Sequence, residues 1–199
     1  VVINPKFKNI SLFVTSPKIN ETLLSEMESF FDWLATHKEI NSVLISMQQI
    51  GYLESLDSND LKHYNAFYLR EIQNKIQKIN SYYKIMPQTI IYDYGTKACG
   101  LALELGIDAD LKIAHQKAFF QLNHFQLGIL PSSGTVETLS LCSNQSTVKN
   151  LLLLNKKITA KFCENIGFIS QIYKTENEQK TISTILETIS KSSQVSIAQ

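Results

Sequence analysis

An amide and an imidazole sit where the chain otherwise reads as buried. The stretch FQLNHFQLGILPSSG, residues 120–134, places Asn123 and His124 inside an apolar run, ahead of a glycine and a Leu-Pro-Ser-Ser-Gly turn. An imidazole titrates near pH 6.5, so at neutral pH it can take up a proton or give one back. The plainer account of His124 is a histidine at a strand end with no reaction to serve. The other reactive types offer less. Cys99, Cys142 and Cys163 stand far apart, with no CxxC pair and no zinc spacing, so no metal centre is expected. An odd, sparse cysteine count fits small core thiols in a reducing, cytoplasmic setting. Asp57 and Asp60 read as helix caps, Asp108 and Asp110 as turn residues, and His63 and His115 gain no role. Six of the seven glycines fall between positions 95 and 167, a density that suggests tight turns or close backbone approach to a ligand.

The elements that must position these groups alternate between strand and helix. ISLFVT, 10–15, is strand-like, and Pro17 ends it. Asn20 caps a helix with the stripe Leu23, Leu24, Met27, Phe30, Phe31 and Leu34. SVLISM, 42–47, is apolar enough for a strand covered on both faces. After a loop over 48–58, Asp57, Ser58 or Asn59 is expected to cap a helix carrying Leu61, Tyr64, Phe67, Tyr68, Ile72 and Ile76. QTIIYDYG, 88–95, is a third strand. A short helix is predicted from Ala98 to Leu105, stopped by Gly106. Strands follow at Asp110–Ala114 and Ala118–Leu122, then a turn at 128–134 and helices near 135–142 and 146–154. Thr159 caps a further helix ending at Gly167. A strand, Phe168–Tyr173, leads to a C-terminal helix at about 176–191. The pattern is that of an α/β fold in one domain, 1–199.

Bulk properties narrow the partners. The chain has 199 residues and a net charge of +1, with lysines scattered among acids, which argues against a nucleic-acid footprint. The longest unbroken aliphatic run is Leu151–Leu154, far short of a membrane span, and no basic-then-apolar leader precedes the first strand.

In order and spacing, the segments resemble the crotonase superfamily, the enoyl-CoA hydratases and isomerases. ISLFVTSPKINETLL, 10–24, is similar to the family's opening strand and its Pro-Lys-x-x-Asn-x-Leu motif. Ser58-Asn59-Asp60-Leu61 stands where the family has Gly-x-Asp-Leu. YGTKACGLALEL, 94–105, resembles the Gly-Gly-Gly-x-Glu-Leu segment. DLKIAHQKAFFQLNHFQLGILPSSGTVETL, 110–139, parallels Asp-x-x-x-Ala…Leu-Gly-x-x-Pro-x-x-Gly-Gly-Thr. LLLLNKKITAKFCENIGFISQIY, 151–173, resembles the block that follows.

The resemblance implies a spiral of strand–strand–helix units that lacks most of the family's C-terminal helical region. It implies an acyl-CoA or acyl-carrier thioester as substrate, with CoA entering as part of that substrate and no permanently bound cofactor. An enolate would form with its oxygen held by two main-chain N–H groups. Those donors map onto Asn59 and onto Leu101, or Gly100 if the loop is one residue longer. Glu104 matches the first of the family's two acid–base glutamates. The second falls on His124, which makes hydration less favoured; isomerisation, hydration and decarboxylation all stay open. Lys18 matches a position near bound CoA. Family members assemble as homo-oligomers, trimers or hexamers, and the last helix, with Ile182, Ile185, Leu186 and Ile189 on one stripe, fits packing on its own core or on another subunit. Leu101 and Ala102 in place of two family glycines, and the histidine in place of the second glutamate, keep a non-catalytic binding or assembly subunit as the alternative.

Overall fold

A computed structural model describes residues 2–4, 8–47, 50–54 and 65–192. Two sheets organise them. The larger has six strands in the order β1 (Val2–Asn4), β2 (Asn9–Phe13), β3 (Ser42–Ser46), β4 (Thr89–Asp93), β6 (Leu111–His115) and β9 (Gln171–Tyr173). The smaller has β5 (Lys97–Cys99), β7 (Phe119–Gln121) and β8 (Lys157–Thr159). β4 and β6 each hand the chain to a strand of the smaller sheet, and a helix then returns it. That alternation produces the strand–strand–helix spiral. From β2 to β9 every pairing in the large sheet is parallel; only β1 runs antiparallel.

The central strands show why their sequences are nearly all apolar. Every residue of β3 and β4 is buried, because helices cover both faces. On one face Ile10, Val43, Ile45, Ile90 and Tyr92 join a core with α1 (Glu21–Leu34) and α2 (Ala66–Ile85). On the other, Leu44, Ile91, Ile113 and Tyr173 meet Ile182, Leu186 and Ile189 of the C-terminal helix α7 (Glu178–Ser190). The Asn20 side chain accepts from Leu23 N at 2.8 Å and caps α1 as expected. Phe31 of α1 lies 5.6 Å from the Tyr82 ring and 5.3 Å from the Tyr83 ring, locking α1 to α2.

Several expectations are corrected. The cap of α2 is Asn65, which accepts from Tyr68 N at 2.8 Å. Asp57, Ser58, Asn59, Leu61 and Tyr64 lie outside the described residues. Phe67 is exposed; the expected Ile72 and Ile76 are buried, and the stripe of α2 continues through Ile79. The helix predicted from Ala98 is a strand over its first residues. β5 pairs in parallel with β7, and the helix proper, α3, is only Leu101–Glu104. Long-range pairing overrides local preference here. Gly100 makes the corner between them at φ +52°, a conformation that favours glycine. Gly106 follows because a Cβ there would meet the Tyr92 ring at 2.5 Å. Phe168 and Ile169 are not in strand; their N–H groups both donate to Cys163 O, which turns Phe168 into the core. β8 was not anticipated. α4 (Thr135–Cys142), α5 (Gln145–Leu154) and α6 (Ala160–Asn165, capped by Thr159) match their predicted positions within a residue or two.

Candidate active site

A helix of four residues cannot satisfy its own carbonyls, so α3 depends on its neighbours. Tyr94 OH donates to Leu103 O at 2.9 Å, and Asn80 Nδ2, from α2, donates to Glu104 O at 2.8 Å. The second contact ties the backbone of α3 to a long, well-packed helix. At the end of β4, Gly95 adopts φ +62°, and a Cβ there would lie 1.9 Å from Gly51 O. Thr96 N donates to the same carbonyl at 2.8 Å. The connections after β3 and after β4 therefore touch backbone to backbone.

This framework brings Glu104 and His124 together, twenty residues apart in the chain. Both side chains are fully buried, and His124 Nε2 lies 2.8 Å from Glu104 Oε1. His124 belongs to a 3₁₀ turn, 123–127, rather than a strand end. The turn closes at Gly128, whose φ is +67°. The His124 carbonyl accepts from Ile129 N at 3.1 Å. Ser132 completes the group. Its N–H donates to Glu104 Oε1 at 2.7 Å, and its hydroxyl donates to Oε2 at 2.5 Å. The contact between Nε2 and Oε1 is close but not aligned as a hydrogen bond, and neither ring nitrogen of His124 has a hydrogen-bond partner among the described residues.

The remaining candidates fall as follows. Leu101 is the first residue of α3 and fully buried. Gly100 N–H donates to Gln121 O at 3.0 Å, so the alternative donor is engaged in the small sheet. Asn59 lies outside the described residues, as do Asp57, Asp60 and His63. Lys18 is exposed and its backbone bridges Glu54. His115 is held at both nitrogens, accepting from Lys117 N at 3.2 Å and pairing with Thr175 Oγ1 at 3.1 Å. Asp110 accepts from Ile90 N at 2.7 Å, and Asp108 pairs with Lys84 at 2.9 Å, both structural contacts. Burial pushes the Cys163 thiol up to about 12. Among the described residues, no group of three or more His, Cys, Asp or Glu side chains could hold a metal ion, and no helix is long and apolar enough to cross a membrane.

Two residues were missed. Ser132 lies in the turn quoted from the sequence, but a serine in a Pro-x-x-Gly turn is too common to signal a role. Asp93 gives a clearer signal, a lone acid in the apolar strand TIIYD. It is fully buried, and its Oδ1 accepts from Gly95 N at 2.9 Å and from Tyr173 OH at 2.8 Å. Burial pushes its carboxyl up to about 7 despite those two donors.

The chain is similar to known proteins along nearly its whole length. Residues 16–199 match the family described as enoyl-CoA hydratase/isomerase. A probable mitochondrial enoyl-CoA hydratase of Dictyostelium discoideum is 24% identical over 188 residues, covering 90% of this chain and 64% of that protein. A mouse mitochondrial Delta(3,5)-Delta(2,4)-dienoyl-CoA isomerase is 26% identical over 113 residues, 56% of this chain and 35% of that protein. The chain thus spans between 35% and 64% of the length of these two curated relatives. Among solved structures, an enoyl-CoA hydratase from Bacillus halodurans superposes with a TM-score of 0.85 at 19% identity, covering 94% of this chain and 79% of that one. DspI of Pseudomonas aeruginosa superposes at 0.84 with 18% identity, over 94% and 73% of the two chains. Sharing the crotonase fold with these structures and matching the family from the first helix onward, the chain belongs to the enoyl-CoA hydratase/isomerase family.

Proposed function

We propose that this chain, as one crotonase-like domain, binds an acyl thioester presented by coenzyme A or an acyl carrier. It moves a proton at the enolisable carbon, with His124 as the acid–base group. The observation that carries this reading is the imidazole itself, fully buried against a carboxylate and without an aligned partner on either nitrogen among the described residues. A buried polar group left unsatisfied costs roughly 1–3 kcal/mol, and a substrate that exchanges a proton with it removes that cost.

Loss of the α-proton leaves an enolate whose charge gathers on the thioester oxygen. Family resemblance assigns the two main-chain donors for that oxygen to Asn59 and to Leu101 at the first turn of α3. When His124 takes the proton, the carboxylate of Glu104 lies 2.8 Å away to stabilise the imidazolium. Return of the proton at another carbon completes an isomerisation. Addition of water asks for two groups that hold and activate it. Both oxygens of Glu104 already accept from Ser132, so a one-base proton shuttle suits this site better. Coenzyme A enters as part of the substrate, with Lys18 as its candidate contact, and the step as written needs no resident cofactor. The family likeness also favours a homo-oligomer, a trimer or hexamer, and the odd, sparse cysteine count favours the reducing cytoplasm.

The test is deuterium uptake at the α-carbon of a 3-enoyl-CoA in D₂O, followed by proton NMR, beside thermal shifts with CoA, acetyl-CoA and crotonyl-CoA. A ligand of the native state must raise its melting temperature. Wild type should exchange and shift. His124→Ala should keep the shift and lose exchange by about 100-fold or more. Equal exchange in His124→Ala removes the acid–base role, and no shift at millimolar thioester removes the substrate class.

A further inference from the structure

The Glu104 carboxylate is clamped by a single residue. Ser132 donates its main-chain N–H to one oxygen and its hydroxyl to the other, at 2.7 and 2.5 Å. Donors on both oxygens resist rotation about the terminal carboxyl bond, and charge-assisted bonds of this kind are stronger than neutral ones. The clamp is itself held. Ser132 O accepts from Thr135 N at 3.0 Å and from Thr135 Oγ1 at 2.8 Å. The next two residues, Ser133 and Gly134, have φ of +55° and +69°. A serine persists in that left-handed region only where its surroundings impose it. On the other side of Pro131, Leu130 O accepts from Gln73 Nε2 of α2 at 2.8 Å.

With Ser132 on two sides, the approach to Oε1 that remains in use is that of His124 Nε2 at 2.8 Å. We infer that Ser132 is the positioning residue of this site. It holds Glu104 so that Oε1 stays against Nε2, which leaves Nδ1 as the ring atom that exchanges protons with substrate. Its consequence for turnover rests on the acid–base reading of His124 given above; its consequence for the imidazole does not. In the proton step, the substrate's C–H bond breaks, its electron pair stays on the thioester as enolate, and the proton moves to Nδ1. Nε2 keeps its own proton, and Glu104 neither gives nor takes one in the step. On return, Nδ1 gives the proton to carbon and the ring is neutral again.

The experiment is nitrogen-15 NMR of the labelled histidines in the whole chain, with His124→Ala assigning the His124 signals, alongside the deuterium-uptake assay. Ser132→Ala removes the hydroxyl and keeps the N–H; Ser132→Thr keeps both. Ser132→Ala should move the His124 nitrogen signals and lower kcat about tenfold with KM changed less than about twofold. Ser132→Thr should keep the wild-type signals and most of kcat. Should Ser132→Ala lose the fold, Ser132→Cys, with a weak donor of similar size, serves the same comparison. If wild type does not exchange deuterium but the alanine variant shifts the His124 signals, the proposed activity fails and the positioning role stands. Unchanged His124 signals in a folded Ser132→Ala or Ser132→Cys protein overturn the inference whatever the activity.

Discussion

Replacing Asp93 by asparagine should flatten the dependence of stability on pH. Asp93 is fully buried on β4, with one oxygen accepting from Gly95 N and Tyr173 OH and the other unpartnered among the described residues. Burial raises its carboxyl from 3.8 to about 7, and the nearby Glu178 pushes the same way. The folded state therefore binds this proton more tightly than the unfolded chain. The stabilisation is complete below the unfolded value and is lost as pH rises through the folded one. At 1.36 kcal/mol for each tenfold in proton affinity, the difference amounts to about 4 kcal/mol between acid and neutral pH. Asparagine keeps an acceptor for Gly95 and Tyr173 but cannot ionise. Denaturant unfolding at pH 5, 6, 7 and 8 is the assay. The wild-type curve should fall relative to Asp93→Asn by about 1.4 kcal/mol per pH unit between 5 and 7, then run level with it. Asp93→Asn should be the more stable of the two at pH 8 relative to their order at pH 5. Parallel curves across that range would refute the argument that burial, rather than its donors, governs this carboxyl.

Two further substitutions probe the framework of the site. Gly95→Ala forces a Cβ to within 1.9 Å of Gly51 O at φ +62°; chemical denaturation should show a loss of about 3 kcal/mol or more, or no folded protein. Asn80→Ala removes the donor to Glu104 O; it should cost about 1–3 kcal/mol and speed amide exchange in α3 more than in β4.

The elements most legible in the sequence are those whose burial is two-sided or whose caps are local. SVLISM reads as a covered strand because helices do cover both its faces, and QTIIYDYG reads as a strand beside it. Asn20 and Thr159 bond the N–H three residues ahead, so proximity in sequence is proximity in space. β5 and β8 were unreadable for the opposite reason. Each has three residues and exists only through pairing with β7, which no local pattern records. The meeting of Glu104 with His124 was legible as a family correspondence, not as a distance. Ser132 stayed hidden because its partner lies 28 positions away and its own type is ordinary for a turn. Asp93 was passed over although it is a charge in an apolar strand, because the donors that tolerate it come from a turn and from a strand 80 residues on.

The brevity of α3 carries a consequence for how the protein forms. Four residues make too little helix to nucleate or persist alone. Its direction is imposed by Asn80 from α2, by Tyr94 from the end of β4 and by Ser132 from a loop near α4. The placing of Glu104 therefore depends on segments distant in sequence having docked. A substitution in α2 can therefore shift the backbone that carries Glu104 without touching its side chain.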